Sequence, residues 1–162
     1  MTSTETMQIT LPSDREIAMT RTFHAPRGLV WDAWTKPELL KRWMGVRNDW
    51  TFAVCEIDLR VGGAYRFVWR GPQGDMGMGG TYTEVAPPER LVSTEKFDHA
   101  WYPGEATNEI VLLERDGTTV CTTIVRYESK EARDGVLQSG MDKGMSEGFD
   151  KLDDLLAVEV TK

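Results

Sequence analysis

Cationic side chains are in short supply in this chain: 19 Lys plus Arg face 26 Asp plus Glu across 162 residues, a formal charge of −7. A phosphate backbone attracts the opposite balance, so no nucleic-acid partner is expected. Long apolar runs are missing too, and none approaches the roughly 20 residues a membrane-crossing helix needs. The start, Met1-Thr2-Ser3-Thr4-Glu5, has neither the basic nor the apolar region of a signal peptide, so the chain reads as cytosolic. Cysteine is limited to Cys55 and Cys121, each inside an apolar, strand-like run, which points to buried reduced thiols. Histidine is limited to His24 and His99. No Cys/His/Asp/Glu group has metal-ligand spacing, and neither metal nor cofactor is expected. Gly62-Gly63 and Gly77-Met78-Gly79-Gly80 lack the Lys-Ser/Thr and following helix of a phosphate loop, and read as turns and bulges.

What the chain does have is tryptophan, six against four Tyr and five Phe. Trp offers a large apolar face with one donor, a combination suited to binding pockets as well as cores. The order of elements follows from periodicity. Residues 1–13 read as a flexible segment or weak edge strand. Ile17, Met19, Arg21 and Phe23 alternate with smaller residues as a strand that stops at Ala25-Pro26. Two short helices follow, over 27–35 and from Pro37 through Met44, where Gly45 ends the second. Strands are expected over 50–59, 64–70, 76–85, 90–97, 107–115 and 118–127, the last two as a hairpin around Asp116-Gly117. Ser129 caps a helix running to about 158. The expected fold is α+β: a curved antiparallel sheet of six to seven strands gripping a long C-terminal helix, two short helices closing one end.

That helix carries a glycine beside a bulky apolar residue every four positions: Gly140-Met141, Gly144-Met145, Gly148-Phe149. Four-residue spacing stacks the bulky residues as a ridge and the glycines as a groove. Each glycine costs a helix interior about 1 kcal/mol relative to alanine. Such a row implies either close backbone approach or room left for something else.

Four motifs resemble a known family. They are Val30-Trp31-Asp32-Ala33-Trp34-Thr35-Lys36-Pro37-Glu38-Leu39-Leu40-Lys41-Arg42-Trp43, Leu59-Arg60-Val61-Gly62-Gly63-Ala64-Tyr65-Arg66-Phe67, Gly80-Thr81-Tyr82-Thr83-Glu84-Val85-Ala86-Pro87-Pro88-Glu89-Arg90-Leu91, and Ser139-Gly140-Met141 followed by Leu152-Asp153-Asp154-Leu155-Leu156. In this order they resemble the SRPBCC (START-like, Bet v 1-like) superfamily, in the branch named for homology to the C-terminal domain of the activator of heat-shock protein 90 ATPase. The resemblance covers about residues 14–158, read as one domain with a short tail over 159–162. It implies a helix-grip fold with a deep apolar cavity. The superfamily includes lipid and hormone carriers, polyketide cyclases and aromatases, so fold does not fix function. Trp43-Met44 stands where the branch commonly has paired aromatics, and Gly148 where it often has a larger residue, which implies a roomier cavity.

Tyr65, Phe67 and Trp69 share a strand face, with Tyr82 on a neighbouring strand. With the Met141, Met145 and Phe149 ridge they form the expected cavity lining, Gly148 supplying room. Trp43, Met44, His99 and Trp101 are expected nearer the entrance. Asp98, Glu95, Glu84, Arg66 and Arg70 could serve as acid, base or ion-pairing groups if they faced inward, but their alternation with apolar residues favours the solvated face. The leading expectation is a binder of a small hydrophobic, aromatic or lipid-like molecule. A cyclase-, aromatase- or hydrolase-type enzyme and a co-chaperone-like module acting on a heat-shock ATPase are the alternatives, and the oligomeric state, a homodimer included, stays open.

Overall fold

The computed structural model describes residues 6–46, 49–99 and 104–162. Among the described residues, eight strands form one antiparallel sheet in the order β1-β2-β8-β7-β6-β5-β4-β3. They are β1 (Gln8–Thr10), β2 (Glu16–Phe23), β3 (Thr51–Ile57), β4 (Ala64–Gly71), β5 (Gly74–Ala86), β6 (Arg90–Phe97), β7 (Ala106–Arg115) and β8 (Thr118–Arg126). The short edge strand β1 adds one to the six or seven expected. Helices α1 (Arg27–Thr35) and α2 (Pro37–Leu40) lie between β2 and β3, and α3 (Lys130–Gln138) and α4 (Met141–Val160) close the chain. This is the helix-grip arrangement.

The sheet bends where its sequence permits. Thr83 is an extra residue in β5 opposite β6, and Ala53 an extra residue in β3 opposite β4; such bulges kink a strand and increase its twist. Gly77-Met78-Gly79-Gly80 lies inside β5, within the strand expected over 76–85, and forms no turn. A Cβ on Gly80 would run into the Thr94 carbonyl of β6, and one on Gly79 would come within 2.8 Å of the Tyr65 carbonyl of β4. The glycines let three backbones approach closely where the sheet curves. The Asp116-Gly117 hairpin forms as read, both residues having positive φ (54° and 76°).

The expected single C-terminal helix is two. Gly140 has φ 83° and stands with Ser139 between α3 and α4. Ser139 donates to the Val136 carbonyl twice, from its backbone N–H at 3.1 Å and from Oγ at 2.6 Å, closing the end of α3. Glycine in the left-handed region is the common way to stop a helix, and here the chain turns and starts another. At the front of α3, Ser129 Oγ accepts from the Ala132 N–H at 3.1 Å, the cap read from the sequence.

The solid core lies between α1, α2, the second half of α4 and one end of the sheet. Phe149 is fully buried there, stacked on Trp43 with centroids 6.1 Å apart and edge-on to Phe23 at 5.8 Å. Trp43 Nε1 donates to the Ala33 carbonyl at 3.0 Å, so the one polar atom of this buried indole is satisfied. Arg21 is also buried, with Asp150 at 2.9 Å and Asp153 at 3.5 Å, tying β2 to α4. A buried guanidinium without such partners would be strongly destabilising.

Candidate functional site

Beyond Phe149 the packing opens. A cavity of about 550 Å³ lies between the concave face of the sheet and the α3–α4 region. That volume is within the range of about 300–1,000 Å³ usual for small-molecule sites. Strand alternation builds its floor. In β4, Tyr65, Phe67 and Trp69 point inward and are buried, whereas Arg66 and Arg70 point outward to exposed ion pairs with Asp98 and Asp75. Register then aligns one row across five strands, Tyr82 beside Ser93, Asn108, Val125 and Ile17. A second row runs Leu91, Ile110, Thr123, Met19. Over this floor stand Met141, Gly144 and Met145 of α4, with Val136 of α3. The lining residues most open to solvent include Gly45, Met76, Ser139 and Gly140, which place the mouth between the end of α2 and the α3–α4 break.

Trp69 fixes one side of that mouth. Its Nε1 donates to the Met44 carbonyl at 3.0 Å. Gly45, with φ 67°, turns directly against the indole, and a Cβ there would collide with it. Met44 and Gly45 are thereby held at the cavity edge.

Of the residues singled out in the sequence, Met44, Tyr65, Phe67, Trp69, Tyr82, Met141 and Met145 line the cavity. Trp43 and Phe149 do not: both are packed into the solid core, where their rings contact each other. Gly148 is likewise corrected. A Cβ there would sit 3.3 Å from the Trp43 carbonyl oxygen and 3.8 Å from its ring, so this glycine serves close approach of α4 to Trp43 and adds no room. His99 is exposed beside Asp98 at the end of β6, outside the lining. Trp101 lies outside the described residues. Asp98 and Glu84 stay on the solvated side with Arg66 and Arg90.

Glu95 departs from the solvated-face reading and lines the cavity, as do Ser93, Asn108 and Thr123. The signal was present in β6, where Leu91, Ser93, Glu95 and Phe97 share one parity and the two ends are apolar. Asn108 Nδ2 donates to Glu95 Oε1 at 2.7 Å, and the Tyr65 hydroxyl donates to the Thr94 carbonyl at 2.6 Å. Burial first, and the charge of Glu95 second, push the phenols of Tyr65 and Tyr127 above their ordinary range. Tyr82 is raised as well, chiefly by burial. All three stay protonated at neutral pH and can donate hydrogen bonds but not act as bases. Trp34 Nε1 and Thr123 Oγ1 are buried beside the Cys121 thiol, with no hydrogen-bond partner of normal geometry among the described residues. Both residues line the cavity. Burial pushes the Cys121 thiol up to about 12 and that of Cys55 to about 11, and both cysteines are free. Among the described residues, no group of three or more His, Cys, Asp or Glu is placed to hold a metal ion.

Residues 24–157 match the family model described as Activator of Hsp90 ATPase homolog 1-like protein. The chain belongs to this family. A structure from Rhodobacter sphaeroides is 34% identical, with 94% of this chain and 99% of that one aligned and a TM-score of 0.89. A Nitrosomonas europaea protein is 27% identical, covering 94% and 100% of the two chains at a TM-score of 0.81. A Mycobacterium smegmatis protein is 26% identical, covering 93% and 96% at 0.83. The family fold thus recurs in bacterial proteins across their full length. No curated protein matches the chain. No described helix is long and apolar enough to cross a membrane.

Proposed function

We propose that the chain binds a small hydrophobic molecule in the cavity between the sheet and the α3–α4 region. The observation that carries this reading is an apolar, aromatic-walled space of about 550 Å³ with a few polar groups gathered on one stretch of its floor. Ligand sites have that composition: burial of apolar surface supplies affinity, and a few placed polar atoms fix orientation. Tyr65, Phe67, Trp69 and Tyr82 supply the apolar wall. Met44, Met76, Met78, Met141 and Met145 supply a lining that can adapt, since an unbranched thioether fills irregular space at low strain.

The three cavity phenols are held protonated by burial, away from the range where a general base works, which counts against general-base catalysis by them. The family description points to a heat-shock ATPase as partner, a reading that an extended exposed apolar patch would support. The most exposed large apolar side chains, Val61, Leu113 and Val158, stand instead on three different parts of the chain. A thermal-shift screen with hydrophobic metabolites tests the proposal. A ligand at 100 times its dissociation constant stabilises the folded state by about 2.7 kcal/mol. A saturable rise in melting temperature for one chemical class is expected, and no response across aromatic, lipid-like and polycyclic compounds would contradict it.

A further inference from the structure

The protons on the polar stretch of the cavity floor are directed within the protein. The Tyr65 hydroxyl gives its proton to the Thr94 carbonyl at 2.6 Å, and Asn108 Nδ2 donates to Glu95 Oε1 at 2.7 Å. An amide faces a carboxylate only with its N–H, so Asn108 Oδ1 is the end turned away. Burial first and the charge of Glu95 second raise the Tyr65 phenol, whereas the Ser93 hydroxyl and the Asn108 amide act the other way, as donors to its oxygen do. What stays open is acceptor capacity, at Ser93 Oγ and Asn108 Oδ1, neither of which receives a hydrogen bond from a described residue. Ser93 and Asn108 stand directly opposite each other on β6 and β7, with Tyr82 on the other side of Ser93 in the same row. Ser93 is only 8% exposed, and all three residues line the cavity. The Tyr82 and Tyr65 rings, 5.4 Å apart between centroids, form an apolar wall beside these two acceptors.

We infer that the molecule bound in this cavity carries a neutral hydroxyl on its apolar body, and that this hydroxyl donates to Ser93 Oγ beside Asn108. This rests on the hydrophobic-ligand reading and narrows it. A ketone or ester oxygen only accepts, so at this spot it would meet further acceptors and lose its hydration without a compensating bond. A carboxylate has the same defect and adds a charge. An ammonium has protons to give, but its hydration is larger than two neutral oxygens replace. A hydroxyl supplies the one proton the row can take and is inexpensive to bury once that bond is made.

Three probes with one carbon skeleton separate the possibilities: 5-phenylpentan-2-ol, the corresponding ketone and the corresponding amine, titrated calorimetrically into the full chain at neutral pH. The alcohol is expected to bind about fivefold tighter than the ketone, the worth of one neutral hydrogen bond, and tighter than the amine. In Ser93→Ala, which removes the acceptor and little else, the alcohol is expected to weaken to the level of the ketone while the ketone is unchanged. A ketone as tight as the alcohol, an amine tighter than the alcohol, or a Ser93→Ala variant that keeps the preference would overturn the inference. The wild-type ranking decides even if the variant fails to fold. Binding of the ketone or amine with the alcohol no tighter would overturn it while leaving the hydrophobic-ligand reading standing, and no binding by any probe would count against both.

Discussion

The two halves of α4 carry the same Gly-apolar repeat and do opposite things with it. Met141 and Met145 in the first half border an open cavity, whereas Phe149, one turn further on, is fully buried against Trp43 and Phe23. The glycines divide in the same way. Gly140 breaks the helix with a positive φ, Gly144 lines the cavity, and Gly148 lets α4 press on the Trp43 backbone. One sequence pattern therefore has three physical causes, and what decides between them is the opposing surface. Opposite Gly148 stand Trp43 and α1, which fill the space; opposite Met145 the sheet curves away.

Substitutions along α4 sharpen this contrast. Phe149→Ala removes a fully buried ring with three aromatic neighbours and is expected to destabilise the chain by about 3–5 kcal/mol in denaturant unfolding. Gly148→Leu forces a side chain against the Trp43 carbonyl 3.3 Å from its first carbon, and a loss of about 1–3 kcal/mol is expected. Met145→Ala removes atoms that already border a void, so about 1 kcal/mol is expected, together with weakened binding of any cavity ligand. Equal losses for Phe149→Ala and Met145→Ala would mean that the two halves of the helix are packed alike.

Alkali probes both regions at once. Cys121 in the core and Tyr65, Tyr82 and Tyr127 at the cavity all have folded-state values raised above their ordinary 9.0 and 10.0, with burial as the leading cause. The unfolded chain then loses these protons first, so it binds fewer protons than the native state and stability falls as pH rises. Melting temperature is expected to show no contribution from these groups below about pH 9 and a decline above it. A flat profile to pH 11 would contradict the burial of these groups.

Much of this was legible beforehand, for identifiable reasons. Strand β6 was read to its end residues because Pro87-Pro88 and the Asp98 turn bound a run with clear parity. The inward aromatics of β4 followed from the same period of two. The break at Ser139-Gly140 was missed because four-residue apolar spacing, Leu137, Met141, Met145, continues across it, although Ser-Gly is a fair helix-stop signal. Gly148 was misread because a missing side chain looks the same in sequence whether a neighbour fills the space or not. Glu95 was misassigned because charges alternating on strands were read together as the solvated face, when its own parity with Leu91 and Phe97 pointed inward. Which residues oppose one another across the cavity is set by sheet register and the two bulges, neither of which is visible along one chain.

Methionine methyl groups give the most direct test, since Met19, Met44, Met76, Met78, Met141 and Met145 line the cavity while Met7 does not. Titrating the hydrophobic compound that raises the melting temperature most in the thermal-shift screen into methyl-labelled protein should shift several of these six resonances with one saturating curve and leave Met7 in place. A shift at Met7 with the cavity methionines unmoved, or no saturable shift at all, would contradict a ligand site in this cavity.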